Sequence, residues 1–65
     1  ILPSTHPDLG TSYYNTGFLC MKMEDYTRAM SFLKLAHDIF KQNFPSNHKG
    51  VEDINMLIEL VGQNL

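Results

Sequence analysis

Apolar residues return at helical spacing in three blocks of this chain. Leu9, Tyr13, Gly17 and Cys20 form one line, with Tyr14, Phe18 and Met21 beside it. Tyr26, Ala29, Leu33, Ala36 and Phe40 form a second, flanked by Phe32, Leu35 and Ile39. Val51, Ile54, Ile58 and Val61 form a third, adjoined by Leu57 and Leu60. Steps of three and four residues place each line on one side of a helix. Polar and proline-containing clusters separate the blocks: Pro3 to Pro7, Glu24-Asp25, and Asn43 to Asn47. The pattern predicts helices over about 7–22, 26–42 and 48–62.

End chemistry agrees with these limits. Pro7 suits a first helical turn because its missing N–H would have no intrahelical partner there, and Asp8 then faces the positive end of the helix dipole. Asp25 is the expected N-cap of the second helix and Asn47 that of the third. Pro45 disfavours helical geometry at Phe44, so the second helix must stop before it. Short connections make successive helices antiparallel neighbours. The fold class expected is therefore all-α, an antiparallel helix hairpin plus a third helix.

The second and third helices are apolar around more of their circumference than one buried stripe requires. The second can touch a neighbour on each side. The third has one face for the second helix, yet Met56, Leu57 and Leu60 also call for cover. Such a helix fits a fragment of an α–α superhelix, in which each unit buries its apolar face by stacking on the next. A near-repeat supports this. LPSTH at residues 2–6 returns as FPSNH at 44–48, 42 positions on. In that register Pro3, Ser4 and His6 lie over Pro45, Ser46 and His48, and Leu9 lies over Val51. The match then fades, Tyr13 falling on Asn55 and Gly17 on Glu59. The second copy is accordingly divergent or terminal.

The segment SYYNTGFLCMKMEDYTRAMSFLKLAHDIF resembles a tetratricopeptide repeat. The positions that carry the resemblance are Tyr13, Thr16-Gly17, Cys20, Glu24-x-Tyr26, Ala29, Leu33 and Ala36. Thr16 stands where the pattern has leucine, Cys20 where it has tyrosine and Glu24 where it has glycine. The usual period is about 34 residues. The 42-residue spacing, with LPSTHPDL and YYN-x-G, is similar to the longer variety found in kinesin light chains. Residues 1–65 then read as a single segment of about one and a half units. Residues 1–42 make a complete pair of helices A and B, and 43–65 the turn and helix A of a following repeat. The resemblance gives Gly17, Ala29 and Ala36 the role of letting helices approach closely, with Tyr13, Cys20, Tyr26 and Leu33 packing around them. It also implies a concave face built mainly from helix A, on which Thr11, Tyr14, Asn15, Phe18 and Lys22 would point to a peptide or partner protein. Asn15 can both donate to and accept from a peptide backbone. Lys22 can meet an acidic residue, and Tyr14 and Phe18 offer flat apolar area. Alternatively, Asn15 bonds within the stack, and Tyr14 and Phe18 pack on the next helix.

Charge narrows the choice of partner. Net charge is −2 and the five Lys and Arg are scattered, so neither nucleic acid nor an anionic membrane is expected as a partner. No apolar run is long enough for a membrane span. One cysteine forms no internal disulfide, which points to a reducing, cytoplasmic setting. The chain begins at Ile1 and is expected to be an excerpt of a longer protein.

Catalysis, metal and cofactor binding are not expected. His6, His37, His48, Cys20 and Asp38 lack the short spacing of zinc-ligand pairs. Cys20 with His37 is a conceivable nucleophile and base, but Cys20 holds a packing position. The four methionines read as core filler, and the four glycines are isolated, so no phosphate loop is present.

The expected function is a non-catalytic protein-interaction scaffold repeat. Two alternatives stand beside it. One is a structural or capping spacer in a larger protein or oligomer. The other is an accessory repeat of an enzyme whose catalytic domain lies elsewhere, as in ADP-ribosyltransferases that carry similar repeats. So short an array is expected to be marginally stable alone, docking neighbouring repeats or self-associating through its third helix.

Overall fold

The computed structural model describes residues 7–65, with side chains from Asp8 onward. The first copy of the Pro-Ser-x-His turn, including His6, lies outside the described residues. Three helices follow in order: α1 (Pro7–Lys22), α2 (Tyr26–Asn43) and α3 (Lys49–Gly62). No strand occurs among the described residues. Helix α3 begins 42 residues after α1, the spacing of the repeated turn.

Close approaches fix the directions. A Cβ on Gly10 would lie 2.7 Å from the Phe40 ring and 2.9 Å from Ile39 Cγ2. A Cβ on Gly17 would lie 2.9 Å from Leu33 Cγ and 3.3 Å from the Ala29 carbonyl oxygen. Rising numbers on α1 thus meet falling numbers on α2, so the pair is antiparallel. Likewise Gly50 abuts Phe40, and Gly62 approaches Met30, so α3 runs antiparallel to α2. Helix α2 is the central element, and α1 and α3 meet only along a narrow seam.

The core has two lobes. Ala36, Ile39, Phe40, Val51 and Ile54 form one, padded by Leu9, Tyr13 and Phe44. Cys20, Ala29, Leu33 and Val61 form the other, padded by Met21, Tyr26, Met30, Phe32 and Leu57. Tyr14 and Ile58 pack against both. Leu33, Ile54 and Val61 are the largest side chains with no exposed surface. Each lobe draws on α2, which explains why that helix is apolar around so much of its girth.

The α1–α2 turn is a Schellman closure. The Asp25 N–H donates to the Cys20 carbonyl at 2.8 Å and the Glu24 N–H to that of Met21 at 3.0 Å. This geometry needs a left-handed residue, and Glu24 supplies it with φ 63°, alone among the described non-glycine residues. A Cβ in that conformation costs about 1–2 kcal/mol, partly offset by the chain entropy that glycine would lose. Glu24→Gly should therefore stabilise the fold by about 0.5–1 kcal/mol. A thermal melt checks this, with a rise of about 4–8 °C expected per kcal/mol in a domain this small.

Asp25 caps α2 as expected. Its carboxylate accepts the Arg28 N–H at 3.4 Å and pairs with the Arg28 guanidinium, also at 3.4 Å. Helix α2 ends at Asn43, one residue later than predicted. Phe44 is extended (φ −135°, ψ 154°), as the following proline demands.

The cap of α3 corrects the expectation of Asn47, because His48 holds that position. The His48 N–H donates to the Pro45 carbonyl at 2.9 Å, closing a turn that leaves Asn47 one residue before the cap. The Gly50 N–H then donates to His48 Nδ1 at 3.0 Å. Accepting at Nδ1 places the imidazole proton on Nε2. The ring stacks on Phe44 at 4.2 Å, and Phe44 meets Phe40 edge-on at 5.3 Å. His48→Ala removes both the acceptor and the stack. We expect a loss of about 1 kcal/mol, seen as faster amide exchange at Gly50, with much of it recovered in His48→Asn.

Candidate functional surface

Helix α1 divides its surface cleanly. Gly10, Tyr13, Gly17 and Cys20 face α2, with Tyr13 set 6.1 Å from Phe32. On the other side Thr11, Asn15, Phe18 and Lys22 follow steps of four, three and four, which place them in one row. All four are exposed. Tyr14, one position along from the row, is half-buried and packs on both lobes, where α3 contributes Val51, Ile54 and Val61. The row therefore borders the seam between α1 and α3.

The five candidate contact residues are not equivalent. Tyr14 belongs largely to the core, and its exposed part forms the inner edge of the row. Phe18 is 38% exposed. The Lys22 ammonium sits 5.3 Å from the centre of the Phe18 ring, a cation–π contact that joins the two at the C-terminal end of α1. Asn15 stands between the hydroxyl of Thr11 and this pair, and its amide makes no hydrogen bond to another described residue. Placed in the open, that amide has both its donor and its acceptor available. The described residues enclose no pocket, so the row is an open surface.

The packing candidates are placed differently. Ala29, Leu33 and Ala36 have no exposed surface, Gly17 and Cys20 are buried, and Tyr13 and Tyr26 are half-buried. Gly10 was missed by sequence reasoning, although it lies two turns before Gly17 on the same side and approaches α2 more closely. That seven-residue spacing of two glycines in one apolar helix is the signal that could have found it.

Helix α3 carries its own exposed apolar residues. Met56 is 60% and Leu60 44% exposed, and Leu57 beside them is half-buried. In the 42-residue register these are the counterparts of Tyr14, Phe18 and Asn15. Asn55 and Glu59, the counterparts of Tyr13 and Gly17, are exposed.

Among the described residues no three His, Cys, Asp or Glu side chains converge as metal ligands. Cys20 is a buried free thiol, packed between Ala29, Leu33 and Val61. No described helix is long and apolar enough to cross a membrane. Compared with protein-family models, with curated proteins and with solved structures, the chain has no match.

Proposed function

We propose that this chain is a non-catalytic scaffold element of tetratricopeptide type, which uses the exposed row of α1 to hold a peptide or partner protein. The observation that carries the reading is the uncommitted Asn15 amide, set in a row with Phe18 and Lys22 on a rigid helix. A backbone amide of an extended partner presents one donor and one acceptor, and an asparagine side chain answers both. Phe18 supplies apolar area beside it, and Lys22 supplies a charge for an acidic partner residue. The register of the buried small residues and the 42-residue interval between helix starts support the repeat assignment. The cytoplasm suits a chain whose single cysteine is buried and unpaired.

A peptide-array screen with the protein, repeated with Asn15→Ala, tests this. Two backbone hydrogen bonds at about 0.5–1.5 kcal/mol each amount to roughly a 5- to 150-fold loss of affinity for the peptides selected. Unchanged binding in Asn15→Ala would remove the row from consideration.

A second reading has its own support. The flank of α3 that corresponds to the α2-facing side of α1 is polar, with Asn55 and Glu59 in place of Tyr13 and Gly17. Such a flank does not accept a packed helix B, and this favours α3 as a terminal, capping helix of a stack.

A further inference from the structure

The outward side of α3 differs from that of α1 in its charge. On a helix surface the neighbours of a residue are those three and four positions away. For Met56 these are Glu52, Asp53, Glu59 and Leu60. Three carboxylates thus ring the most exposed apolar side chain of the helix. Leu60 continues the apolar strip, with Leu57 on its inner edge and Gln63 and Asn64 beyond it. Lys49, a turn before Glu52 and Asp53, is the one cation on the helix, and none stands in its last turn.

From this arrangement we infer that the outer side of α3 is a docking surface for an amphipathic partner helix with basic residues flanking its apolar stripe. The surface lies on a different helix from the row on α1. Met56 and Leu60 provide the apolar contact, and Glu52, Asp53 and Glu59 provide the complement to the flanking cations. Apolar contact supplies holding strength, while the acidic rim selects the partner and speeds encounter. The same rim tells against a second copy of this chain as the occupant. A symmetric α3–α3 pair would bring six carboxylates around one small apolar centre, and juxtaposed like charges oppose association.

The test uses two stapled helical peptides that share one leucine stripe, one with lysines and one with glutamates beside it. Their binding to the full chain is followed by fluorescence anisotropy at low salt. The lysine peptide should bind at least tenfold more tightly, and the difference should shrink as salt is raised. Leu60→Asp should abolish the binding, whereas Asn15→Ala and Phe18→Ala should leave it unchanged. The double substitution Glu52→Lys, Glu59→Lys, at two exposed positions, should reverse the preference between the peptides. Equal affinity for both peptides, binding to neither, or loss of binding in the α1 variants overturns the proposal. So does a concentration-dependent dimer in sedimentation that Leu60→Asp dissolves, since that assigns the face to a second copy.

Discussion

Leu33→Ala should remove a large share of this chain's stability. Leu33 has no exposed surface and sits at the centre of the lobe formed with Cys20, Ala29 and Val61. Its side chain touches elements on both sides of α2, so no single helix can move in to fill the space. Truncations of this kind cost about 2–5 kcal/mol, and the cost rises with the volume left empty. Small domains have only about 0.05–0.15 kcal/mol of stability per residue. One cavity therefore removes a large share of the total. Chemical denaturation followed by circular dichroism measures the effect. A midpoint like that of the parent would show that Leu33 is not central to the core.

Gly17→Leu should be nearly as damaging, for the opposite reason. The new Cβ would stand 2.9 Å from Leu33 Cγ and 3.3 Å from the Ala29 carbonyl oxygen. Leu33 is fully enclosed and cannot swing aside, and the carbonyl belongs to the α2 backbone. The helices must separate, and overpacking of this sort costs about 1–3 kcal/mol or more. Helix propensity works the other way, since leucine favours a helix over glycine by nearly 1 kcal/mol. A net loss in a denaturation curve would show that contact, not propensity, governs this position. The two sites compete for one space, so their effects should not add. Gly17→Ala in the Leu33→Ala background should cost less than in the parent, because the Leu33 atoms it would strike are gone and only the Ala29 carbonyl oxygen at 3.3 Å remains. Strict additivity would mean that the two residues do not meet.

Much of this architecture is readable in the chain. Three lines of apolar residues at three- and four-residue steps are enough to place three helices, because burial imposes that period on any helix with one wet side. Asp25 and Pro45 mark their boundaries through local chemistry alone. What escaped depends on groups brought together from a distance. Gly10 looks like a poor helix residue until Phe40 is seen against it. Asn47 has the better capping propensity, yet His48 takes the role because the turn from Pro45 and the Phe44 ring position it there. The row on α1 came from the resemblance to a tetratricopeptide repeat and not from spacing alone. Tyr14 had two readings open, partner contact or packing on the next helix, and the position of α3 decides for packing. The acidic ring around Met56 was also open to inspection in the sequence. It passes unnoticed while residues are read only for what they bury.

The narrow seam between α1 and α3 bears on how the molecule opens. Helix α3 is held almost wholly by α2, whereas α1 and α2 are locked by the close approaches at Gly10 and Gly17. Segments with fewer shared neighbours detach at lower free energy than the whole. Helix α3 should therefore be the first element to detach, uncovering Val51, Ile54 and Val61. Protease sensitivity would concentrate at the Phe44–His48 connection, and a chaperone would encounter the released helix before the hairpin gives way.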